Sequence, residues 1–326
     1  MNYTRKLTIA LAGAASIVLA ASACSSEGGK QETAAGGADT PELTIAMITH
    51  EVPGDSFWDK VRAGAEAAAE KSNVTLEYSS DPEATKQATL IQTAIDKKVD
   101  GIAVTLAKPE ALKGAIKKAN EAGIPVVGLN AGLDHWEELG LTEYFGTDES
   151  VAGEAFGERL NEVGAEKTLC VIHEQGHVAL ETRCSSLAKT FDGDSETLYV
   201  DGASMPDVKS SITSKLQEDK DVDYVATLGA PYAMGALDAV DNAGSDAKVA
   251  TFDTDKNLIG AIQDGLVEWA VDQQPYLQGY LAVDGLWLYN VNGNVSGGGK
   301  AVLTGPSFID KSNIDDIKVF AEKGTR

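Results

Sequence analysis

Basic residues, histidine, cysteine and aromatics are all scarce in this chain of 326 residues, and each scarcity narrows what it can do. It has 27 Lys and Arg against 50 Asp and Glu, a formal net charge of -23. So acidic a surface repels phosphate backbones and anionic lipid, which argues against nucleic-acid binding and against insertion into a membrane. With three cysteines and four histidines, no paired Cys-x-x-Cys is encoded. There is no G-x-S-x-G and no P-loop, and the stretch after Ile48 is not G-x-G-x-x-G, so dinucleotide binding has no support. After the first two dozen residues, no apolar run reaches the ~18 residues that argue for a spanning helix.

The N-terminus carries a specific signal. Arg5 and Lys6 precede an apolar stretch from Leu7 to Ala21, and Ala21-Ser22-Ala23 leads directly into Cys24. This is the layout of a secretory signal with a small-residue cleavage site. The cysteine's position resembles the bacterial lipobox, with Ala21 where leucine is usual. The resemblance implies a signal peptide over 1–23 and lipidation of Cys24, the alternative being an ordinary cleaved signal with an incidental cysteine. Residues 24–40, rich in Gly, Ala, Thr and Glu, cannot bury a core and read as a flexible tether. The mature chain is then expected to be exported and held by its lipid on the outer face of the cell membrane, or periplasmic. In such an oxidising compartment Cys170 and Cys184 are expected to pair, two buried thiols being the alternative. The disulfide would close a loop of ~14 residues, worth roughly 3 kcal/mol in the chain-entropy model.

Roughly 285 residues remain, about right for two α/β domains. Apolar runs predict strands at 43–48, 74–78, 101–105 and 125–129, separated by helical patterns at 57–71, 85–97 and 109–122. The rhythm restarts after Asp148. Helices are expected at 151–163, 178–190, 206–217, 233–243, 257–264 and 276–289, with strands at 167–172, 196–200, 224–228, 248–252 and 268–271. A glycine-rich turn follows at 297–299. Strands alternating with helices of this length imply βαβ units and parallel sheets. The predicted fold class is therefore α/β, with two Rossmann-like domains. One lobe is expected from 41–147 plus 275–303 and the other from 148–274 plus 304–326. Hinge crossings are expected near Asp148, at 272–275 and near 303–305. In open α/β sheets ligands sit beyond the carboxyl ends of the strands.

Read at those ends, several local patterns recur in a telling order. Pro53-Gly54-Asp55-Ser56-Phe57-Trp58 leads into Val61-Arg62-Ala63-Gly64-Ala65, and Asp100-Gly101-Ile102 and Gly123-Ile124-Pro125-Val126-Val127 follow. Val249-Ala250-Thr251-Phe252-Asp253 and Gln273-Gln274-Pro275 complete the series. From about Glu42 to Asp310 the chain resembles the ribose-type periplasmic binding proteins, the sugar-binding branch of the type I family. The resemblance implies a three-segment hinge, a cleft for a small neutral sugar or polyol, and delivery to the permease of an ABC importer. It implies no enzyme activity and no cofactor, and monomer is the default. Flat aromatics plus planar donors and acceptors suit a sugar ring. Phe57 and Trp58 would stack, while His50 and Asp55 would bond hydroxyls. Asn130 stands where the family has an aspartate, and Ala131 replaces an arginine. Arg183 matches the family's sugar-binding arginine, Gly229-Ala230 replaces an asparagine, and Asp253 and Gln273 match. The two replacements keep a nucleoside or a furanone-type signal open as alternative ligands, with Tyr232 as a second stacking surface.

His173-Glu174-Gln175-Gly176-His177 spells H-E-x-x-H. The motif binds zinc when a helix puts both imidazoles on one face. Here it directly follows a strand and contains a glycine, so a loop and no metal are expected; a secreted zinc hydrolase is the remote alternative.

Overall fold

The computed structural model describes residues 40–326 except Pro53, so the expected signal peptide, Cys24 and the tether up to 39 lie outside the described residues. The first half runs β1 (Leu43–Thr49), α1 (Ser56–Ser72), β2 (Val74–Ser80), α2 (Ala84–Lys97), β3 (Gly101–Thr105), α3 (Pro109–Glu121), β4 (Val126–Asn130) and β5 (Glu143–Thr147). The second runs α4 (Glu149–Glu162), β6 (Lys167–Ile172), α5 (Val178–Thr190), β7 (Asp194–Tyr199), α6 (Met205–Glu218), β8 (Tyr224–Thr227), α7 (Ala230–Ala243), β9 (Lys248–Phe252), α8 (Lys256–Asp264) and β10 (Val267–Asp272). The chain then adds α9 (Pro275–Asn292), β11 (Val302–Gly305), β12 (Ser307–Asp310) and α10 (Ile314–Glu322).

Two six-stranded sheets result, ordered β11-β5-β4-β3-β1-β2 and β12-β10-β9-β8-β6-β7. Every pairing is parallel except that of β10 with β12. The orders correspond position by position, so β4 of one sheet is the counterpart of β9 in the other. This is the α/β architecture that the strand–helix alternation predicts. Central strands such as β3 and β4 are buried throughout, as parallel strands covered on both faces must be.

Helices cover both faces of each sheet. On the first, Phe57, Val61 and Ala65 of α1 pack with Ala282, Val283 and Leu286 of α9, while Ile91, Leu112 and Ile116 cover the opposite face. On the second, Phe156, Leu160 and Leu187 of α4 and α5 oppose Val208, Ile212 and Leu258 of α6 and α8. The backbones of α1 and α9 touch. A Cβ on Gly64 would lie 1.9 Å from the Tyr276 carbonyl oxygen, and one on Gly279 would lie 1.9 Å from that of Val61.

Four elements were not foreseen: β5, β11, β12 and α10. The strands hold only two apolar residues each, too few to read as an apolar run, and α10 lies beyond the region of the family resemblance. Helix α7 begins at Ala230 and carries a proline in its first turn, a tolerated position, so it starts three residues before the expected 233. The chain passes between the sheets between β5 and α4, between β10 and α9, and between β11 and β12. Asp148 stands at the first passage and caps α4, accepting from the Ser150 and Val151 amides, each at 3.1 Å.

Cys170 of β6 and Cys184 of α5 form a disulfide across a sequence separation of 14. Replacing both with alanine should lower unfolding free energy by roughly 3 kcal/mol. Urea melts under non-reducing conditions check this, and an unchanged midpoint would refute it. Gly279→Ala should cost about 1–3 kcal/mol by overpacking; a variant as stable as the parent would show that α1 and α9 separate freely.

Candidate ligand-binding cleft

The strand ends of both sheets converge on one cavity. Eight of the residues expected to bind ligand line it: His50, Asp55, Phe57, Trp58, Asn130, Arg183, Asp253 and Gln273. The two alanines do not. Ala131 packs against Ala107 and Ala179, and Ala230, the first residue of α7, lies in the core. Methyl groups in place of the family's polar side chains turn into apolar packing.

Asn130 ends β4 and Asp253 directly follows its counterpart β9, and both adopt left-handed backbone with φ of 67° and 64°. Gln273 joins them. Its Oε1 accepts from Asn130 Nδ2 at 3.4 Å, and its Nε2 donates to Asp253 Oδ1 at 2.7 Å. Gln278 steadies the group by donating to the Gln273 carbonyl at 3.1 Å and accepting from Asn130 at 3.3 Å.

Phe57 and Trp58 start α1 behind its cap, Asp55, whose Oδ1 accepts from the Phe57 amide at 3.0 Å. Their rings meet edge to face at 5.1 Å. Both line the cavity and belong to the core, so stacking and packing are not alternatives here. On the other side His173 stacks on Tyr232 at 3.9 Å, with ring planes 17° apart. His173, Glu174, His177 and Tyr232 also line it. His173 to His177 directly follow β6, so the strand-end rule alone places them at the site, whatever their zinc-like spelling.

Arg183 is more constrained than expected. Nε and Nη2 engage Glu149, the second at 3.0 Å, and the guanidinium lies 4.4 Å from the Phe252 ring centre. Nη1 and one hydrogen of Nη2 remain for the cavity. His50 departs further from the expectation of a hydroxyl reader. Its Nδ1 is 2.6 Å from Thr105 Oγ1 and its Nε2 is 2.9 Å from His177 Nε2, so neither ring nitrogen is free for a guest.

Residues 173–177 form a bend and turn, not a helix. His50, Glu174 and His177 bring one ligand atom each within 4.8 Å of one another, yet their partners do not suit a cation. His177 Nδ1 accepts from the Ala179 amide at 3.2 Å. Nε2 therefore carries the hydrogen, whereas a metal-bound imidazole needs that lone pair bare and its other nitrogen donating. Glu174 pairs with Lys108 at 2.8 Å.

Burial sets the electrostatics. It pushes Asp253 up to about 7 against the pull of Arg183 and the Gln273 hydrogen bond, and Asp55 up to about 6 against the Phe57 amide. It pushes His50 and His173 down to about 3 and His177 well below the ordinary imidazole value. All three rings are neutral at pH 7, and Arg183 is cancelled by Glu149. Neutral rings, a cancelled arginine and two carboxyls that burial pushes towards their protonated form leave a polar cavity that suits an uncharged guest.

The family model described as periplasmic binding protein domain matches residues 45–293. A carbohydrate transporter structure from Acidothermus cellulolyticus, in complex with myo-inositol, is 56% identical, with a TM-score of 0.87 over 88% of this chain and 100% of that one. An ABC transporter solute-binding protein from Agrobacterium vitis with bound D-fucose is 26% identical, with a TM-score of 0.77 over 85% and 99% of the two chains. The ribose import binding protein of Bacillus subtilis is 24% identical over 268 residues, 80% of this chain and 86% of its own. Among the described residues, no helix is long and apolar enough to cross a membrane. With the family model covering most of its length, and with the paired sheets and shared cleft that this fold brings, the chain belongs to the periplasmic binding protein domain family.

Proposed function

We propose that this chain is the substrate-binding component of an ABC importer, capturing a small neutral polyol or sugar in the cleft and passing it unaltered to a permease. The observation that carries the reading is the convergence of Asn130, Gln273 and Asp253, from both sheets, on one cavity with aromatic faces on two sides. Export, anchoring through Cys24 and action as a monomer belong to the same reading. The structure bound to myo-inositol, at 56% identity, makes cyclitols the first ligands to try.

Each group has work that a hydroxyl-rimmed ring requires. Phe57 and Trp58 meet its apolar face. Asp253 accepts hydroxyl protons, Gln273 and Asn130 both donate and accept, and Arg183 donates from its free edge. A guest touching both sheets favours the closed arrangement over the open one, and that differential contact is what a permease can sense.

Titration calorimetry against myo-inositol, other cyclitols, pentoses, hexoses and tetritols should find at least one ligand of micromolar or better affinity. A panel of flat traces would defeat the reading. Asp253→Asn should weaken that ligand about tenfold to a hundredfold, the loss expected for a hydrogen bond to a charged group.

The same carboxyl should leave a mark on the ligand-free protein. Its pKa is raised to about 7, so the folded state binds a proton that the unfolded chain releases near pH 4. Its contribution to stability is therefore fully present at low pH and declines as pH rises through about 4 to 7. Asp253→Asn should accordingly gain melting temperature relative to wild type at pH 8 and little or none at pH 4. An equal difference at both values would show that the carboxyl is not strained by burial.

A further inference from the structure

We propose that His50 and His177 form a latch between the two lobes, a direct imidazole–imidazole hydrogen bond that holds the cleft closed only while both rings are neutral. The inference rests on reading the cavity as a cleft that opens and closes. It goes further by naming two positioning residues that do not themselves grip the guest.

His50 follows β1 in the first lobe, and His177 caps α5 in the second, 127 residues later. Their Nε2 atoms lie 2.9 Å apart, and both side chains are buried. The flanking partners leave one consistent placement of hydrogens. The Ala179 amide donates to His177 Nδ1 at 3.2 Å, so that nitrogen is bare and the hydrogen of a neutral ring sits on Nε2. His177 Nε2 therefore donates to His50 Nε2, which must be bare. His50 then carries its hydrogen on Nδ1 and donates to Thr105 Oγ1 at 2.6 Å. Thr105 Oγ1 spends its other lone pair on the His50 amide at 3.1 Å, while the two Gln87 Nε2 hydrogens have the Thr105 and Ile48 carbonyls at 2.9 and 3.4 Å, so the oxygen can accept from Nδ1. The relay runs one way from the α5 backbone to the floor of the first lobe.

A further proton has no place in this chain. On His177 it would occupy Nδ1 and face the Ala179 N–H; on His50 it would occupy Nε2 and face the His177 N–H. Charged and titratable neighbours offer no compensation. Lys108 already pairs with Glu174, Arg183 already pairs with Glu149, and His173 adds a third imidazole that opposes a charge on the other two. Burial works in the same direction, holding both rings below their ordinary range. Asp55 and Asp253 line the same cavity. Their pKa values are raised, so they favour closure in acid, opposite to the histidines.

Opening the lobes returns the imidazoles to water and to an ordinary pKa near ~6.5. Because the closed-state values are lower, the latch contributes fully above that pH and is lost as pH falls below it, by about tenfold per pH unit for each ring. The pair does this whether or not the cavity is filled.

The amide of Val178 donates to the Ala107 carbonyl of the other lobe at 3.0 Å, so its hydrogen exchange reports closure directly. The full chain, ligand-free, would be compared with His50→Gln/His177→Gln, whose amides can still bond but do not titrate. Protection at Val178, corrected for intrinsic exchange, should fall between pH 7.5 and 5.5 by about a hundredfold more in wild type than in the double variant. The carboxyl contributions are common to both and cancel in the ratio. His50→Gln alone, which leaves the α5 cap intact, should show about a tenfold difference and serves if the double variant does not fold. Equal declines in wild type and variant, an unprotected Val178 in wild type at pH 7.5, or parallel loss at core amides such as Val171 would each overturn the latch. Adding myo-inositol separates the two ideas: protection that fails to rise counts against the cyclitol reading and leaves the pH comparison standing.

Discussion

Gln273 is the point on which the two halves of the molecule agree. One side-chain amide accepts from Asn130 below the first sheet and donates to Asp253 below the second. Other contacts join the halves, such as Lys108 with Glu174 and the Val178 amide with the Ala107 carbonyl, but this one links equivalent strand ends of the two sheets. The carboxamide suits the task because it presents an acceptor and a donor on one rigid plane. The left-handed backbone at both Asn130 and Asp253 lifts each side chain off its strand towards that plane. Asparagine and aspartate are among the few residues that take this conformation at small cost. The polar floor of the cleft thus depends on backbone geometry at two equivalent positions as much as on the chemistry of the side chains.

Much of this was legible in the sequence. Strand and helix periods gave most strands of both sheets, because a parallel strand buried on two faces is a continuous apolar run and an amphipathic helix is not. Residues directly after strands gave most of the cleft, and Asp253 and Gln273 lie where that rule puts them. What stayed hidden were pairings across long separations. Nothing local marks Glu149 as the partner that takes two donors from Arg183, or His177 as the group that occupies His50. Ala131 and Ala230 enter the expected site through a family correspondence alone, and their methyl groups pack into apolar contacts. The pentad at 173–177 shows the same limit from the other side. Its spelling suggested one chemistry, while its place after β6 decided another.

The charge distribution divides cleanly between surface and interior. The exterior is strongly acidic, yet the cleft pairs its arginine with a glutamate, its lysine with another, and keeps three imidazoles neutral. Such local cancellation keeps a neutral guest from competing with counter-ions for the cavity. It also confines the influence of the long-range field to solubility and dispersion.

The contact between α1 and α9 carries a consequence for how the molecule is made. Gly64 and Gly279 bring together helices more than two hundred residues apart, and β11 joins the first sheet later still. The lobe that begins the chain therefore stays unfinished until the final fifth of the polypeptide has emerged. Until then the face of the first sheet that α9 covers has no complete partner, so the final packing of that half is reached only when the chain is nearly whole.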